Sequence, residues 1–240
     1  MHLLAPWSLF ITLVAFVVAW VLTQRLHQIG IQQRSLHRLV TRLRIGVWLW
    51  LSVALIASSI GFFESSTTFS PADVGGFVLF GTSMTVPVLG YVLGMWRSPQ
   101  FRQLIDALTT PWLVGLEVYR IGGVVFLVYA VADYVPGWWA MSTGIADIII
   151  GVTALPIAWG LVRATAWAYP VAIAWNLLGL ADIMHAIGYV CVIFFGLSSV
   201  HPAPALIGAH PLALISLFQA PLALIIHGIV LRRLSRKPVY

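Results

Sequence analysis

The sequence predicts an all-α fold: a polytopic membrane bundle of seven transmembrane helices, N-terminus out and C-terminus in, with short interfacial helices. Three observations carry that prediction. Of 240 residues, 60% are hydrophobic and only 8% are charged, with a mean hydropathy of +0.97, whereas soluble domains carry about 25% charged residues. Seven apolar stretches are long enough to cross a hydrocarbon core of about 30 Å. Apart from Arg120, basic residues fall only in alternate connections, the asymmetry expected of cytoplasmic loops. The whole of 1–240 is therefore read as a single transmembrane domain.

The first span is 3–23. No basic segment precedes it and no small-residue cleavage site follows, so it is read as a span rather than a removable signal peptide. Arg25, Arg34, Arg38, Arg42 and Arg44 come next, with no acid among them. Leu36, Leu39, Val40 and Leu43 recur at helical spacing, which predicts a surface helix over Ser35–Arg44 lying on the headgroups. The second span, 45–63, ends at the polar run Glu64–Ser70. Ser70-Pro71 reads as an N-cap followed by a first helical residue, opening the third span, 74–96.

Ser98-Pro99 repeats that signature and starts a second interfacial helix, with Phe101, Leu104, Ile105 and Leu108 on one face. Thr110-Pro111 then opens the fourth span, 112–133. Pro136-Gly137-Trp138-Trp139 marks a turn at the opposite interface before the fifth span, 140–161. The sixth and seventh are 171–197 and 212–232, joined by a connection rich in Pro and His.

Arg25 to Arg44, Arg97, Arg102, Arg163, Arg232, Arg233, Arg236 and Lys237 all fall on one side of this arrangement, and that side is read as cytoplasmic. The net charge of +6 and pI near 10 follow from those loops and give no reason to expect nucleic acid as a partner. The lone Cys191 excludes a disulfide framework and a thiolate metal site. His2, His201 and His210 share the outer side, but their spacing matches no compact metal centre.

The candidate site lies in the middle of the membrane. Glu117 and Arg120 on the fourth span, Asp147 on the fifth, and Asn176, Asp182 and His185 on the sixth are polar groups inside apolar runs, with His227 on the seventh. At 1.5 Å per residue, Arg120, Asp147 and Asp182 fall in one central slice, with His185 beside them. An ionisable residue there costs about 2.5–3.5 kcal/mol on insertion scales and marks a pathway or ligand site by default. Arg120 is expected to be the charge partner of Asp147 or Asp182. Asp182 and His185, three apart, share a helix face, where they would titrate as a coupled unit. Gly144-Ile-Ala-Asp147 and Gly179-Leu-Ala-Asp182 also echo one another, each Asp with a glycine one turn back.

Glu-Val-Tyr-Arg-Ile-Gly-Gly-Val-Val-Phe-Leu (117–127), Gly-Ile-Ala-Asp-Ile-Ile-Ile-Gly (144–151) and Trp-Asn-Leu-Leu-Gly-Leu-Ala-Asp (175–182) resemble motifs of a family of uncharacterised bacterial integral membrane proteins. That family shows Tyr-Arg-x-x-Gly-x-x-Phe, a Gly-x-Gly-Asp-like element and Trp-Asn-x-x-Gly-x-x-Asp. It also has a late proline-rich span with a His, similar to Pro221–His227. The resemblance covers roughly the C-terminal half. It implies a bacterial cytoplasmic (inner) membrane protein in which Arg120, Asp147, Asn176, Asp182 and His227 form one constellation. It implies no activity. Ala146, where the family prefers Gly, and His185 are particular to this chain.

One Arg against three carboxylates leaves surplus acid, to be balanced by protons or a bound cation. That predicts a small-molecule or proton-coupled transport or binding protein, its partners the lipid bilayer and a small polar or cationic ligand or protons. Pro156 and Pro221 allow the local helix breaks that carriers use. Redox and structural roles are the alternatives: a b-type haem held by His185 and His227, a quinone near His185 and Arg120, or an accessory subunit of a larger membrane complex. No cofactor is otherwise expected, and no catalytic residue. Gly-x-Ala-Asp lacks the glycine of intramembrane aspartyl proteases, Gly81-Thr-Ser83 has no evident His partner, and the only lysine, Lys237, lies in the tail, which excludes a retinal Schiff base.

Overall fold

The structure is a computed structural model that describes residues 5–63, 74–194 and 205–236. Expectations placed on His2, Glu64–Ser70, the Ser70-Pro71 cap, His201 and Lys237 fall outside the described residues. Among those residues, all regular structure is helical, and seven helices are long and apolar enough to cross a membrane.

Helix α1 (Ala5–Gln32) has 28 residues, about 42 Å of length. It overruns the expected span and carries Arg25 on its final turns. After a 3₁₀ turn (Arg34–Leu36), α2 (His37–Ser59) folds back along it. The stretch expected as a separate surface helix, 35–44, is instead mostly the first part of α2. Between Ser35 and Trp50 there is no proline and only Gly46 to interrupt a helix, so propagation continues into the apolar span.

Helix α3 (Val74–Arg97) follows, then α4 (Pro99–Ala107), which starts as its sequence requires. The Ser98 hydroxyl accepts the Phe101 N–H at 3.1 Å, and Pro99 fills the first helical turn. Thr82, Ser83 and Thr85 on α3 each donate to the carbonyl four residues back, so their hydroxyls are satisfied within the helix.

The fourth span is not one α-helix. It runs as α5 (Thr110–Leu116), a 3₁₀ segment (Glu117–Gly123) and α6 (Val124–Val131). Helices α7 (Gly137–Val162) and α8 (Ala168–Phe194) are continuous, α7 passing through Pro156 without a break. After a 3₁₀ turn (Ala205–Gly208), the last span comprises α9 (Leu212–Leu214), a π-helical turn (Ile215–Gln219) and α10 (Ala220–Leu234). Pro221 has no N–H for the carbonyl four residues earlier, that of Leu217. The Trp50 indole on α2 donates to it instead, at 2.8 Å.

Helix α7 is the hub, packing against α5, the 3₁₀ segment, α6 and α8. Leu13, Val53, Val86 and Leu155 on the outer surface are each more than half exposed, an apolar exterior that suits lipid rather than water. Several contacts gather the basic residues at one end. Gln103 bonds Gln33, Arg233 donates to the carbonyls of Ile105 and Leu108, Arg232 approaches Met95, and the Tyr169 hydroxyl reaches the carbonyl of Leu234.

Candidate functional site

The 3₁₀ segment Glu117–Gly123 explains how three helices meet at one arginine. Residues at i and i+3 eclipse in a 3₁₀ helix, so Glu117 and Arg120 stack on one side, toward α8 and α10. Gly123, the next residue in that row, lets α7 approach, while Gly122 faces Ile11 and Val14 on α1. A Cβ on Gly123 would overlap the side chain of Asp147, and one on Gly151 would lie 2.5 Å from the backbone nitrogen of Ile121. A Cβ on Gly144 would meet the Gly123 carbonyl at 2.9 Å. On α8, a Cβ at Gly179 would collide with the His227 imidazole and sit 3.1 Å from Nη1 of Arg120. The repeated Gly-x-Ala-Asp therefore has a physical basis: each glycine lets a neighbouring element come close enough for the aspartate one turn on to meet Arg120.

Arg120 is 5% exposed and holds both aspartates at once. Its Nε donates to Oδ1 of Asp147 at 2.6 Å, and its Nη2 donates to Oδ2 of Asp182. Its Nη1 lies 3.0 Å from Nε2 of His227. An arginine can only donate, so Nε2 accepts, and the Nδ1–H then donates to Oδ1 of Asn176 at 2.9 Å. Asn176 Nδ2 in turn donates to the His227 carbonyl at 3.1 Å, a two-point clamp between α8 and α10. The Trp175 ring covers His227 at 5.4 Å between centroids, its own N–H donating to Thr153 and the Ile150 carbonyl.

Glu117 is fully buried and makes no hydrogen bond among the described residues. Its Oε2 is 3.7 Å from Nε2 of His227 and 4.0 Å from Nη1 of Arg120.

Six of the seven expected residues thus converge: Glu117, Arg120, Asp147, Asn176, Asp182 and His227. His185 does not. It is exposed on the flank of α8, its ring 6.0 Å from that of Trp138. Three residues turn a helix by about 300°, and the remaining offset is enough to send Asp182 inward and His185 outward. The two cannot form the coupled unit expected of them. Nor do the residues fit a haem: His227 is 0% exposed with both ring nitrogens engaged by Arg120 and Asn176, and His185 points away.

A cavity of about 140 Å³ opens beside the cluster. Asp147, Asp182 and Arg120 line one wall, and the rest is mostly apolar and aromatic. Among its other polar lining residues, Trp139, Thr143 and Gln219 are each at least 95% buried. Their Nε1, Oγ1 and Nε2 atoms make no hydrogen bond among the described residues. The Tyr119 hydroxyl, also in the wall, donates to the Gln219 carbonyl at 3.1 Å, tying the 3₁₀ segment to the π-helical turn. Sequence reasoning missed these lining residues, though Gln219, polar and two before Pro221 in an apolar span, was a readable signal. Both irregular segments, 3₁₀ and π, border the cavity, as such segments often do at functional sites.

Among the described residues, no group of His, Cys, Asp and Glu could hold a metal ion. No curated protein and no solved structure matches the chain. Residues 78–235, which contain every member of the cluster, match the model of a family described as a domain of unknown function, DUF8737, and the chain belongs to that family.

Proposed function

We propose that this is a multi-pass protein of the bacterial cytoplasmic membrane, with its basic end in the cytoplasm, and that the buried cluster binds a small cationic or polar solute or protons in the course of transport. The observation that carries the reading is the cavity ending on Asp147 and Asp182. Each has one carboxylate oxygen held by Arg120, and the other, Oδ2 of Asp147 and Oδ1 of Asp182, accepts no hydrogen bond among the described residues. With Glu117 near by, three carboxylates face a single guanidinium, because the neutral His227 adds no charge. Buried charge of that kind is retained where it is used. The irregular 3₁₀ and π turns lie against the cavity rather than lipid, where a membrane protein tolerates them.

The test compares wild type with Asp182→Asn, which keeps the side-chain shape. Melting temperature in detergent is followed from mildly acidic to mildly alkaline pH. The reading expects a pH dependence in wild type that the variant lacks. Superimposable curves would overturn it. For orientation, a cysteine at Ser235, beside the basic cluster, should resist membrane-impermeant thiol reagents in intact cells.

A further inference from the structure

We propose that the cavity's ligand is a small organic ammonium ion carrying a hydroxyl or carbonyl oxygen on an apolar body. This inference rests on the binding role proposed above and specifies its chemistry. Sign comes first. Arg120 is already shared between two aspartates, and His227 accepts from it, so the charged wall offers uncompensated carboxylate rather than free cation. An anion would meet the surplus acid; a cation would neutralise it.

The other walls decide what kind of cation. Phe80, Tyr119, Phe126 and Trp139 line the same cavity, with Phe126 and Trp139 packed edge-to-face at 5.6 Å. Aromatic rings attract cations, the more so in a desolvated site, and rings combined with carboxylate recognise substituted ammonium groups. A bare alkali or alkaline-earth ion demands about six to eight oxygen ligands at close range. Ile183, Ile187, Val190 and Leu212 present carbon there instead. An alkylated ammonium covers such walls with its own hydrocarbon.

The unpartnered wall atoms supply the last element. Among the described residues the Trp139 N–H and the Gln219 amide N–H₂ are donors without acceptors, and the Thr143 hydroxyl can serve in either sense. Burying donors unpaired costs the full desolvation of each group, so an oxygen on the ligand is the natural complement. Ammonium on the aspartates and oxygen toward Trp139, Thr143 and Gln219 together specify an amino-alcohol type of molecule.

Choline chloride is the probe, with sodium chloride and the uncharged alcohol in which carbon replaces the choline nitrogen as controls. Melting temperature and calorimetric titration are read on the purified full-length protein. Choline should bind saturably, about tenfold or more tighter than the uncharged alcohol. Phe126→Leu should weaken choline binding about threefold or more through loss of a ring face. Thr143→Val should weaken it without lowering the ligand-free melting temperature, since the valine removes an unpartnered hydroxyl and keeps the shape. Equal shifts from sodium chloride, or equal binding of the uncharged alcohol, would overturn the proposal. If no probe binds but the Asp182-dependent pH response persists, the ammonium inference falls and the proton-binding form of the site survives. If both are absent, both fall.

Discussion

The 3₁₀ segment, α7, α8 and α10 close on one another at glycines, whereas α2 and α3 leave a groove between them. In the first group, Gly123, Gly144, Gly151 and Gly179 have no room for a methyl group, and the space between backbones is filled by Arg120, Asp147, Asp182, Asn176 and His227. In the second, Gly46, Gly81 and Gly90 face open space. A groove of about 720 Å³ lies between α2 and α3, lined by residues such as Trp50 and Val86 with Leu22 of α1 and Ile229 of α10. The share of the most apolar stretch that is buried follows suit, 61% in the last span against 6% in α3. Lipid solvates hydrocarbon as well as leucine does, so apolar matching alone gives helices little reason to associate in a bilayer. Close backbone approach and polar contacts supply the reason, and they are concentrated in one half.

That contrast can be broken at several points. The largest effect is expected from Arg120→Ala, which strands Asp147 and Asp182 in the core and should cost about 3–5 kcal/mol. Adding Asp147→Asn should recover part of the loss, measured by thermal unfolding in detergent. An unchanged melting temperature in the single variant would show that the cluster does not hold the half-bundle together.

A methyl group at Gly151 comes next. Gly151→Ala should cost about 1–3 kcal/mol by forcing α7 from the 3₁₀ segment. Gly90→Ala on α3, with nothing within 4 Å of its Cβ, should stay within about 0.5 kcal/mol or gain slightly from helix propensity. Equal losses at the two sites would erase the distinction between the halves.

His210 tests the loose side through pH. It lies between spans, its Nδ1 3.0 Å from Ser58 on α2 and its Nε2 3.3 Å from Thr12 on α1. Burial lowers its pKa below the usual 6.5, partly opposed by the Ser8 backbone. The unfolded chain therefore takes up the proton first, so its contribution is constant above about pH 6.5 and stability falls as the pH drops below that value. His210→Gln should flatten that part of the melting-temperature profile. The same slope in the variant would assign it to other groups.

The smallest expected effect is at the turn between α7 and α8, where Ala164 adopts φ 49. A left-handed conformation costs a non-glycine residue about 1–2 kcal/mol, offset in part by the greater entropy of glycine in the unfolded chain. Ala164→Gly should gain up to about 1 kcal/mol. A loss would show that this turn is not strained.

Much of this was legible from spacing. The seven apolar lengths, the Ser98-Pro99 start and the meeting of Arg120, Asp147 and Asp182 follow from length, capping chemistry and depth along the helices, whereas Asn176 and His227 were joined to them by the family resemblance. What failed, failed locally. His185 shares a nominal face with Asp182, but spacing cannot say which edge of that face meets a neighbour. The 35–44 stretch has the moment of a surface helix, yet nothing in it stops the helix from running on into α2.

The sequence by itself determined which segments are apolar enough to cross a membrane, and that buried carboxylates outnumber buried arginines within them, because both are counts over residues. Only the tertiary structure decided that one guanidinium serves two aspartates and that a 3₁₀ segment lies between α5 and α6. It alone also decided that a cavity opens where Trp139, Thr143 and Gln219 lack partners among the described residues. Those outcomes depend on where separate helices come to rest against one another. Glycines distributed over three spans set that distance, and the pattern along any single span does not contain it.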